Sequence, residues 1–260
     1  MIKAIINADD FGMSEAFNYG VIKAYRDGVA SSSSLMANMP AAEHAVRLAR
    51  EYSGLFIGQH TNFVLGKPCA PADKLPSMVD GNGNFHRSGE YRSGRRSFVY
   101  EEVRLETIAQ MERFKELTGH YPEHIEGHAV GGEVIDRAFL DIAKEYGIHT
   151  SVFTGTHNEP QEGYAEVVFA ITPQYNDILN RGVSVDNFLN DDLGILKENK
   201  GRVVELHFHP GFLDQFILDN STLTLPRCRD LETLCDPRVR EWLERNGVEL
   251  VSFGDLKFGK

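Results

Sequence analysis

Cysteine is scarce in this sequence, and the few cysteines are scattered. The 260 residues include three of them, Cys69, Cys228 and Cys235, and no two form a CxxC pair. A disulfide framework and a cysteine-based structural zinc site both need more cysteines at closer spacings, so the sequence argues against both. Unpaired thiols are typical of a reducing compartment, and we therefore expect a cytoplasmic protein.

Long apolar runs and positive charge are scarce as well. No apolar run approaches the ~18 residues of a membrane span, and a strand predicted from residue 2 leaves no room for a signal peptide. Lysine and arginine number 27 against 38 aspartates and glutamates, which gives a net charge of -11. This acidic balance argues against nucleic acid and anionic membranes as the main partners.

The chain instead alternates short apolar runs with amphipathic stretches of helical length. The predicted strands cover residues 2–7, 32–37, 55–60, 124–128, 149–153, 182–185, 203–208 and 248–252, and the predicted helices cover residues 14–27, 41–51, 99–118, 133–146, 187–198 and 231–245. This alternation predicts parallel strands joined by crossover helices. We expect one α/β domain over residues 1–260, a TIM-barrel-like (β/α) barrel of seven or eight mostly parallel strands, with a doubly wound open sheet as the alternative.

Two long segments interrupt this alternation. Residues 63–98 are rich in glycine, proline, serine and arginine, and they follow the third predicted strand on its carboxyl side. A loop of this length in a compact domain is usually functional or disordered, and the lids of a barrel lie on this side, so we predict a lid-like insertion. Residues 210–226 form the second segment, after the seventh predicted strand.

Potential metal ligands stand at the ends of four predicted strands. They are Asp9 and Asp10 after the first strand, His60 after the third, His128 after the fourth, and His207 and His209 after the seventh. An isolated Asp-Asp pair is typical of a turn that caps a helix, and a lone histidine is usually structural. In a parallel barrel, however, these strand ends meet at one mouth, and the joint pattern favours a divalent metal site.

Two adjacent carboxylates can divide the work at such a site. One would bind the cation while the other accepts a proton from water. One carboxylate and two imidazoles suit zinc, and magnesium is an alternative that prefers more oxygen ligands. Glu126 shares a strand face with His128, so it is either a group that orients a ligand or a substrate hydroxyl, or an internal structural carboxylate. His209, held before Pro210, would act as a general acid or stabilise an oxyanion.

At these residues the sequence resembles the YdjC-like carbohydrate deacetylases, nearly end to end. The shared motifs are Asn7-Ala8-Asp9-Asp10-Phe11-Gly12, Gly58-Gln59-His60-Thr61-Asn62, Leu75-Pro76-Ser77-Met78-Val79-Asp80, Pro122-Glu123-His124-Ile125-Glu126-Gly127-His128 and Glu205-Leu206-His207-Phe208-His209-Pro210-Gly211. The resemblance implies a (β/α) barrel that removes the acetyl group from an N-acetylated amino sugar or a short chito-oligosaccharide. Its partner would be a small carbohydrate, and its cofactor one divalent metal ion.

The resemblance also implies roles for individual residues. Asp10, His60 and His128 would bind the metal, Asp9 would be the general base, and His209 the general acid or oxyanion partner. Arg227 would position Asp9 or the substrate. Glu126 is assigned to substrate binding from its place on the strand face of His128, and not from the resemblance.

The sequence departs from the family pattern after His128. The family usually reads His-Gln-His-x-His after its aspartate, whereas residues 128–132 read HAVGG, and Glu126 stands where aspartate is expected. Two alternatives stay open. A metal-dependent sugar isomerase or epimerase would use the same kind of barrel mouth, with His209 and Glu126 as the base and acid beside a substrate carbon, and the missing histidines suggest a carbohydrate-binding protein with a degenerate site. A non-haem iron oxygenase does not need the tandem acids. A homodimer is the default expectation because it is the commonest assembly of soluble enzymes.

Overall fold

The computed structural model describes residues 1–152, 161–169, 172–197 and 201–257. Its strands are β1 (Ile2–Phe11), β2 (Ser32–Leu35), β3 (Phe56–Thr61), β4 (His124–Gly127), β5 (His149–Thr150), β6 (Val167–Phe169), β7 (Val203–Phe208) and β8 (Val248–Leu250). Its α-helices are α1 (Glu15–Arg26), α2 (Ala42–Ala49), α3 (Ser88–Arg92), α4 (Tyr100–Thr118), α5 (Glu133–Tyr146), α6 (Tyr175–Arg181), α7 (Val185–Leu189), α8 (Gln215–Asn220), α9 (Leu225–Leu234) and α10 (Pro237–Arg245). No helix within these ranges is long and apolar enough to cross a membrane.

The strands form one parallel sheet, in the order β5-β4-β3-β2-β1-β7-β6. The last strand, β8, pairs with the first residues of β1, from Ile2 to Ala4. Because parallel neighbours need crossover connections, the helices lie between strands along the chain. The predicted α/β class with seven or eight mostly parallel strands is confirmed.

The sheet is strongly curled. Ser151, just after β5, donates a hydrogen bond of 2.6 Å to Glu205 Oε1 on β7. These strands are five places apart in the sheet order, which would be about 24 Å in a flat sheet. In the described part of the chain no pairing joins the outer strands β5 and β6, so the sheet forms a half-barrel rather than a closed ring.

Residues 182–185 were predicted to be a strand, and that prediction is wrong. Gly182 has a φ of 84° and ends α6, and α7 begins at Val185. Val183 is buried because it packs into the helix layer, and its N–H donates to Asp230 Oδ1 at 2.7 Å rather than to a strand. The parallel strand in this part of the chain is β6, at Val167–Phe169.

Two predicted helices also differ from the observed ones. Residues 231–245 fall into α9 and α10, because Pro237 lacks an N–H and Asp236 caps the second helix by accepting from the N–H of Arg238. Residues 187–198 contain the end of α7 and the 3-10 helix Ile195–Lys197. Residue 198 of that prediction, and residue 153 of the predicted fifth strand, lie outside the described residues.

The 63–98 insertion packs onto the body of the protein. It contains the 3-10 helix Ala72–Lys74 and α3, and an antiparallel bridge joins Val79 to Phe85. A hydrophobic cluster joins Leu75, Met78 and Phe85 to side chains of α4 and α5. It remains a prediction that the insertion acts as a lid and that the chain forms a single domain.

Glu106 of α4 anchors the start of this insertion. Its carboxylate oxygens accept from the backbone N–H groups of Cys69 and Ala70, each at 2.9 Å. Burial, the largest influence, raises the pKa of Glu106 to about 7 from 4.5. The folded state therefore holds a proton that the unfolded chain releases above pH 4.5. Protonated Glu106 therefore contributes its full share to the free energy of unfolding below pH 4.5, and this contribution is lost as the pH rises to about 7.

We therefore expect Glu106→Gln to flatten the pH dependence of stability. Between pH 5 and pH 8 the variant should gain about 2–3 kcal/mol of unfolding free energy relative to the unsubstituted protein. The amide leaves one backbone N–H without its acceptor, but that cost does not change with pH. Urea unfolding at both pH values measures the difference. Glu101→Gln, at an exposed position on the same helix, is the control. If the free energy of unfolding changes equally between pH 5 and pH 8 in Glu106→Gln and in the unsubstituted protein, this account is wrong.

Candidate metal centre and active site

A distortion near the end of β1 brings two neighbouring carboxylates to one mouth. Along β1, Asn7 and Asp9 contact side chains inside the curl, whereas Ala8 packs with the helices. Strict alternation would turn Asp10 towards the helices as well. Asp10 instead has a φ of 64°, and the pairing register shifts between Ala8 and Phe11. Aspartate is one of the few side chains that occupies this left-handed region readily.

Asp10, His60 and His128 converge at the carboxyl ends of β1, β3 and β4. Asp10 Oδ1 lies 2.8 Å from His128 Nδ1 and 3.1 Å from His60 Nε2, and the two imidazole nitrogens are 3.2 Å apart. Ligand atoms around zinc or magnesium, with bonds of 2.0–2.1 Å, lie about 3.0–3.4 Å from one another. The three donor atoms of this triad therefore have spacings close to those of a metal site.

The surroundings of the triad also suit a cation. Asp10 Oδ1 is buried, and no hydrogen bond of good geometry reaches it within the described residues. Glu126 Oε1 lies 2.9 Å from His60 Nδ1, so the carboxylate holds the proton on that nitrogen and leaves Nε2 for a metal. A carboxylate behind a ligand histidine is the usual support of metal-binding imidazoles. The residues present thus fit a divalent ion.

The electrostatics of the triad point the same way. Burial on its own lowers the pKa of His60, but contacts with Asp10 and Glu126 raise it to about 10. Burial likewise raises the pKa of Asp10, but its interactions with His128 and with the guanidinium of Arg227 bring it well below its usual value. The cluster thus attracts positive charge, and a metal ion would compete with the proton on His60.

Arg227, in the first turn of α9, holds the second oxygen of Asp10. Its Nη1 donates to Asp10 Oδ2 at 2.7 Å, and its remaining donors reach Ser221 Oγ and the Leu223 carbonyl. The guanidinium is 2% exposed and lies over the Phe17 ring of α1, 4.9 Å from its centre. Arg227 therefore contacts Asp10 rather than Asp9, and its predicted contact with substrate stays a prediction.

The loop that carries His209 approaches α1 without room for another side chain. A Cβ built at Gly211 would lie 1.9 Å from the Phe17 ring, and one at Gly20 would lie 2.5 Å from Gly211 itself. We expect Gly211→Ala to cost about 1–3 kcal/mol, because Phe17 must shift and it supports Arg227. Thermal unfolding measures this loss, with Gly131→Ala as a control because no atom lies near its Cβ position. Equal unfolding temperatures in the two variants would show that the close approach does not matter.

Asp9 belongs to a second group of charged side chains, below the triad. Asn7 Nδ2 donates to Asp9 Oδ1 at 2.6 Å, and His207 Nδ1 lies 2.9 Å from the same oxygen. The other imidazole nitrogen of His207 bonds to Glu205 Oε1, two residues earlier on β7. Burial on its own lowers the pKa of His207, but Glu126, Asp9 and Glu205 raise it well above its usual value. Asp9 is therefore held by a positively charged imidazole.

Glu126 connects this group to the triad. Its carboxylate is fully buried, accepts from Ser34 Oγ and Asn7 Nδ2, and lies 3.2 Å from His207 Nδ1 through Oε2. Burial, the largest influence, raises its pKa. These contacts suit the predicted role in which Glu126 orients a histidine of the triad, here His60. They leave the Glu126 side chain no exposed surface that a substrate could contact.

His209 lies across the mouth from Asp9. Its Nε2 is 3.9 Å from Asp9 Oδ2, too far for a hydrogen bond, and its Nδ1 is buried with no hydrogen-bond partner in the described ranges. Its backbone N–H donates to Asp230 Oδ2 at 2.9 Å. Burial lowers the pKa of His209 to about 4, although Asp10 and Asp9 act in the opposite direction. The imidazole is therefore neutral near pH 7.

Three further residues belong to the site although no role was predicted for them: Asp230, Asn7 and Glu205. Asp230 accepts from the backbone N–H groups of His209 and Val183, so it fixes the loop that carries His209. It stands three residues after Arg227, which places both on one face of α9. Asn7 and Glu205 each stand two residues before a site residue on the same strand. Period-two spacing from Asp9 and His207 was the signal that could have found them.

Comparison with known proteins places this chain in a family. The family described as YdjC-like protein matches residues 3–245. The chain belongs to the YdjC-like family. The family predicted from its motifs is thereby confirmed.

Curated relatives of this YdjC-like chain match over nearly its whole length. Carbohydrate deacetylase 2 of Listeria innocua is 35% identical, covering 98% of this chain and 99% of that protein. A carbohydrate deacetylase of Clostridium beijerinckii is 32% identical, covering 98% and 100%.

Two solved structures resemble the YdjC-like chain in fold. An Enterococcus faecalis protein, provisionally named for cellobiose-phosphate cleavage, matches with a TM-score of 0.83 and 27% identity over 99% of both chains. A peptidoglycan N-acetylglucosamine deacetylase matches with a TM-score of 0.52 over 98% of this chain and 87% of its own. At 19% identity, this second likeness concerns the fold alone.

Proposed function

We propose that this YdjC-like protein is a hydrolase that removes the acetyl group from a small N-acetylated carbohydrate, with one divalent metal ion, zinc or magnesium. The observation that carries the proposal is the convergence of Asp10, His60 and His128 beside a second carboxylate, Asp9. Asn7 and His207 contact only Oδ1 of Asp9, so Oδ2 is available for the reaction. The names of the curated relatives support the substrate class.

Asp10, His60 and His128 would hold the metal ion. When bound, the ion would polarise the amide carbonyl and lower the pKa of water. Glu126 keeps the His60 ring oriented, and Arg227 keeps the Asp10 carboxylate oriented through Oδ2. The chain thus supplies three ligands whose positions are set by neighbouring side chains, which reduces the reorganisation required during the reaction.

Asp9 is the proposed general base. Its Oδ1 is occupied by Asn7 and His207, whereas its Oδ2 faces the mouth, 3.9 Å from His209 Nε2. Burial raises the pKa of Asp9, but the positive charge of His207 outweighs that effect and lowers the pKa. Asp9 is therefore ionised and can accept the proton of the attacking water. The protonated carboxyl can then return this proton to the departing amine.

His209 suits the role of oxyanion partner better than that of general acid. A general acid must carry the proton that it donates, but the pKa of His209 is lowered to about 4 by burial. A neutral imidazole can still donate one N–H hydrogen bond to a developing oxyanion. Asp230 fixes the backbone of His209 and so keeps the ring at the mouth.

The isomerase alternative receives less support. It needs a base and an acid on two sides of a substrate carbon, and the sequence suggested Glu126 and His209. Glu126 is fully buried, and its neighbours are Ser34, Asn7, His60 and His207, so it has no surface through which a substrate carbon could be reached.

The test is acetate release from purified protein with N-acetylated mono- and disaccharides, with and without chelator. We expect release that stops when the chelator removes the metal and returns when zinc or magnesium is added. Release that is unaffected by full metal removal would contradict the metal-dependent mechanism. Sugar rearrangement without acetate would favour the isomerase, and sugar binding without any turnover would favour a carbohydrate-binding protein. Location in the cytoplasm and assembly as a homodimer remain predictions.

A further inference from the structure

A polar pocket lies between the 63–98 insertion and the 210–226 segment. Its volume is about 340 Å³, near the lower end of the range of small-molecule sites, which is about 300–1,000 Å³. Its lining residues are Gly66, Asp80, Asn84, Phe85, His86, Arg87, Glu90 and Asn220. We call it the Arg87 pocket, because Arg87 joins its two walls.

One wall of the Arg87 pocket connects directly to the triad. Asn220 ends α8, and the next residue, Ser221, accepts a hydrogen bond of 3.2 Å from Arg227 Nη2. The other end of that guanidinium donates to Asp10 Oδ2 at 2.7 Å. A single arginine side chain therefore separates the segment that lines the pocket from a proposed metal ligand.

The other wall reaches the metal ligands through α3. Arg87 precedes this helix, and Arg92 at its end donates to the Ala129 carbonyl at 2.6 Å, directly after His128. Five residues of α-helix span about 7.5 Å. Two separate paths of contacting residues thus connect the pocket walls with the proposed metal ligands, one ending at Asp10 and the other beside His128.

The chemistry of the lining suits a neutral polyhydroxylated ligand. Asp80 and Glu90 contribute negative charge, whereas Arg87 contributes positive charge and Asn84 and Asn220 contribute amides. Donors and acceptors thus stand together, as pyranose hydroxyls require. The Glu90 carboxylate is already paired with Arg96 at 2.8 Å, so the charges of Asp80 and Arg87 leave the pocket close to neutral overall, which suits an uncharged ligand.

Arg87 is held loosely enough to change partners. Its Nη1 and Nη2 lie 3.4 Å and 3.2 Å from the carbonyl and side-chain oxygens of Asn220. These are long distances for charge-assisted hydrogen bonds. The guanidinium is exposed, so a ligand hydroxyl can replace either contact without burying an unpaired charge.

We propose that the Arg87 pocket binds the sugar ring adjacent to the acetylated one, so that Arg87 and Asn220 determine a preference for disaccharides over monosaccharides. This inference rests on the proposed deacetylation, since that reaction places the acetylated ring at the triad. The bound ring would lie under the bridge between the insertion and the 210–226 segment.

The experiment compares Arg87→Ala with Arg95→Ala, an exposed arginine of the same insertion that lies outside the pocket. Deacetylation of an N-acetylated monosaccharide and of its β-linked disaccharide is measured for each protein. We expect Arg87→Ala to raise KM for the disaccharide about tenfold, with kcat unchanged and the monosaccharide unaffected. Asn220→Ala should act in the same direction, and Arg95→Ala should match the unsubstituted protein. Equal effects on both sugars, or no effect, would overturn the inference.

A binding measurement separates this inference from the proposed function. Calorimetric titration with the same disaccharide and monosaccharide needs no turnover. A tenfold weaker disaccharide affinity in Arg87→Ala, with no acetate from any protein, would sustain the pocket and reject the deacetylase. If Arg87→Ala keeps its disaccharide affinity and the unsubstituted protein releases acetate, the deacetylase is supported and the pocket proposal is rejected. An Arg87 effect confined to phosphorylated sugars would make the pocket an anion site and overturn the assignment.

Discussion

Replacing Asp9 with asparagine is expected to lower kcat by about 10²–10⁴-fold while the protein keeps its metal. The amide has nearly the shape of the carboxyl and can still accept from His207 Nδ1 through Oδ1, so the surroundings stay in place. It cannot accept a proton from water, so the reaction would lose its proposed base. Acetate release under saturating substrate, with metal content by mass spectrometry, measures both quantities.

Other outcomes would assign different roles to the two aspartates. If Asp9→Asn loses the metal and Asp10→Asn keeps it, the roles of the two acids are reversed. If Asp9→Asn keeps both metal and full activity, the base is another group. His207→Gln is an informative companion, because it removes the positive charge that keeps Asp9 ionised. The pH below which activity falls should then move upward.

Replacing Asp10 with asparagine should have the largest effect on both metal content and stability. Asparagine tolerates the left-handed φ of 64° at this position, so the substitution does not add backbone strain. It removes the charge of the proposed ligand atom that lies next to His60 and His128, and we expect no bound metal after dialysis. It also leaves Arg227, which is 2% exposed, without its carboxylate.

A buried charge that loses its partner typically costs about 3–5 kcal/mol. Urea unfolding of the chelated proteins measures this loss separately from metal binding. Asp9→Asn is the matched control, since it is adjacent and isosteric but keeps the contact between Asp10 and Arg227. The double variant Asp10→Asn, Arg227→Met should recover part of the stability without recovering the metal. If Asp10→Asn and Asp9→Asn unfold at the same urea concentration, the Asp10–Arg227 pair contributes nothing measurable.

Much of the fold could be predicted because the hydrophobic patterns that indicate strands and helices involve residues close together in the sequence. Strands with apolar runs at β1, β3 and β7, and helices with buried stripes at α1 and α4, carry their periodicity in neighbouring residues. The prediction failed at residues 182–185, where an apolar run of strand-like composition serves as the connection between two short helices. It missed the break before Pro237, because an amphipathic stripe continues on both sides of the proline.

The candidate site was predictable in its residue types and not in its contacts. Asp9, Asp10, His60, His128 and His209 stand after strands, and parallel strands bring such positions to one edge. That Arg227 holds Asp10 was not predictable, since 217 residues separate them along the chain.

By itself, the sequence determined the class of the fold, the family and the residue types at the mouth, because composition and short-range periodicity are properties of neighbouring residues. Tertiary structure alone decided how those residues divide their work. The curl of the sheet brings Glu126 of β4 to His207 of β7, and the bulge in β1 turns Asp10 to the same mouth as Asp9. These contacts depend on how far a sheet bends and on one unusual backbone angle, and both are set by packing across the whole chain rather than by any short segment of it.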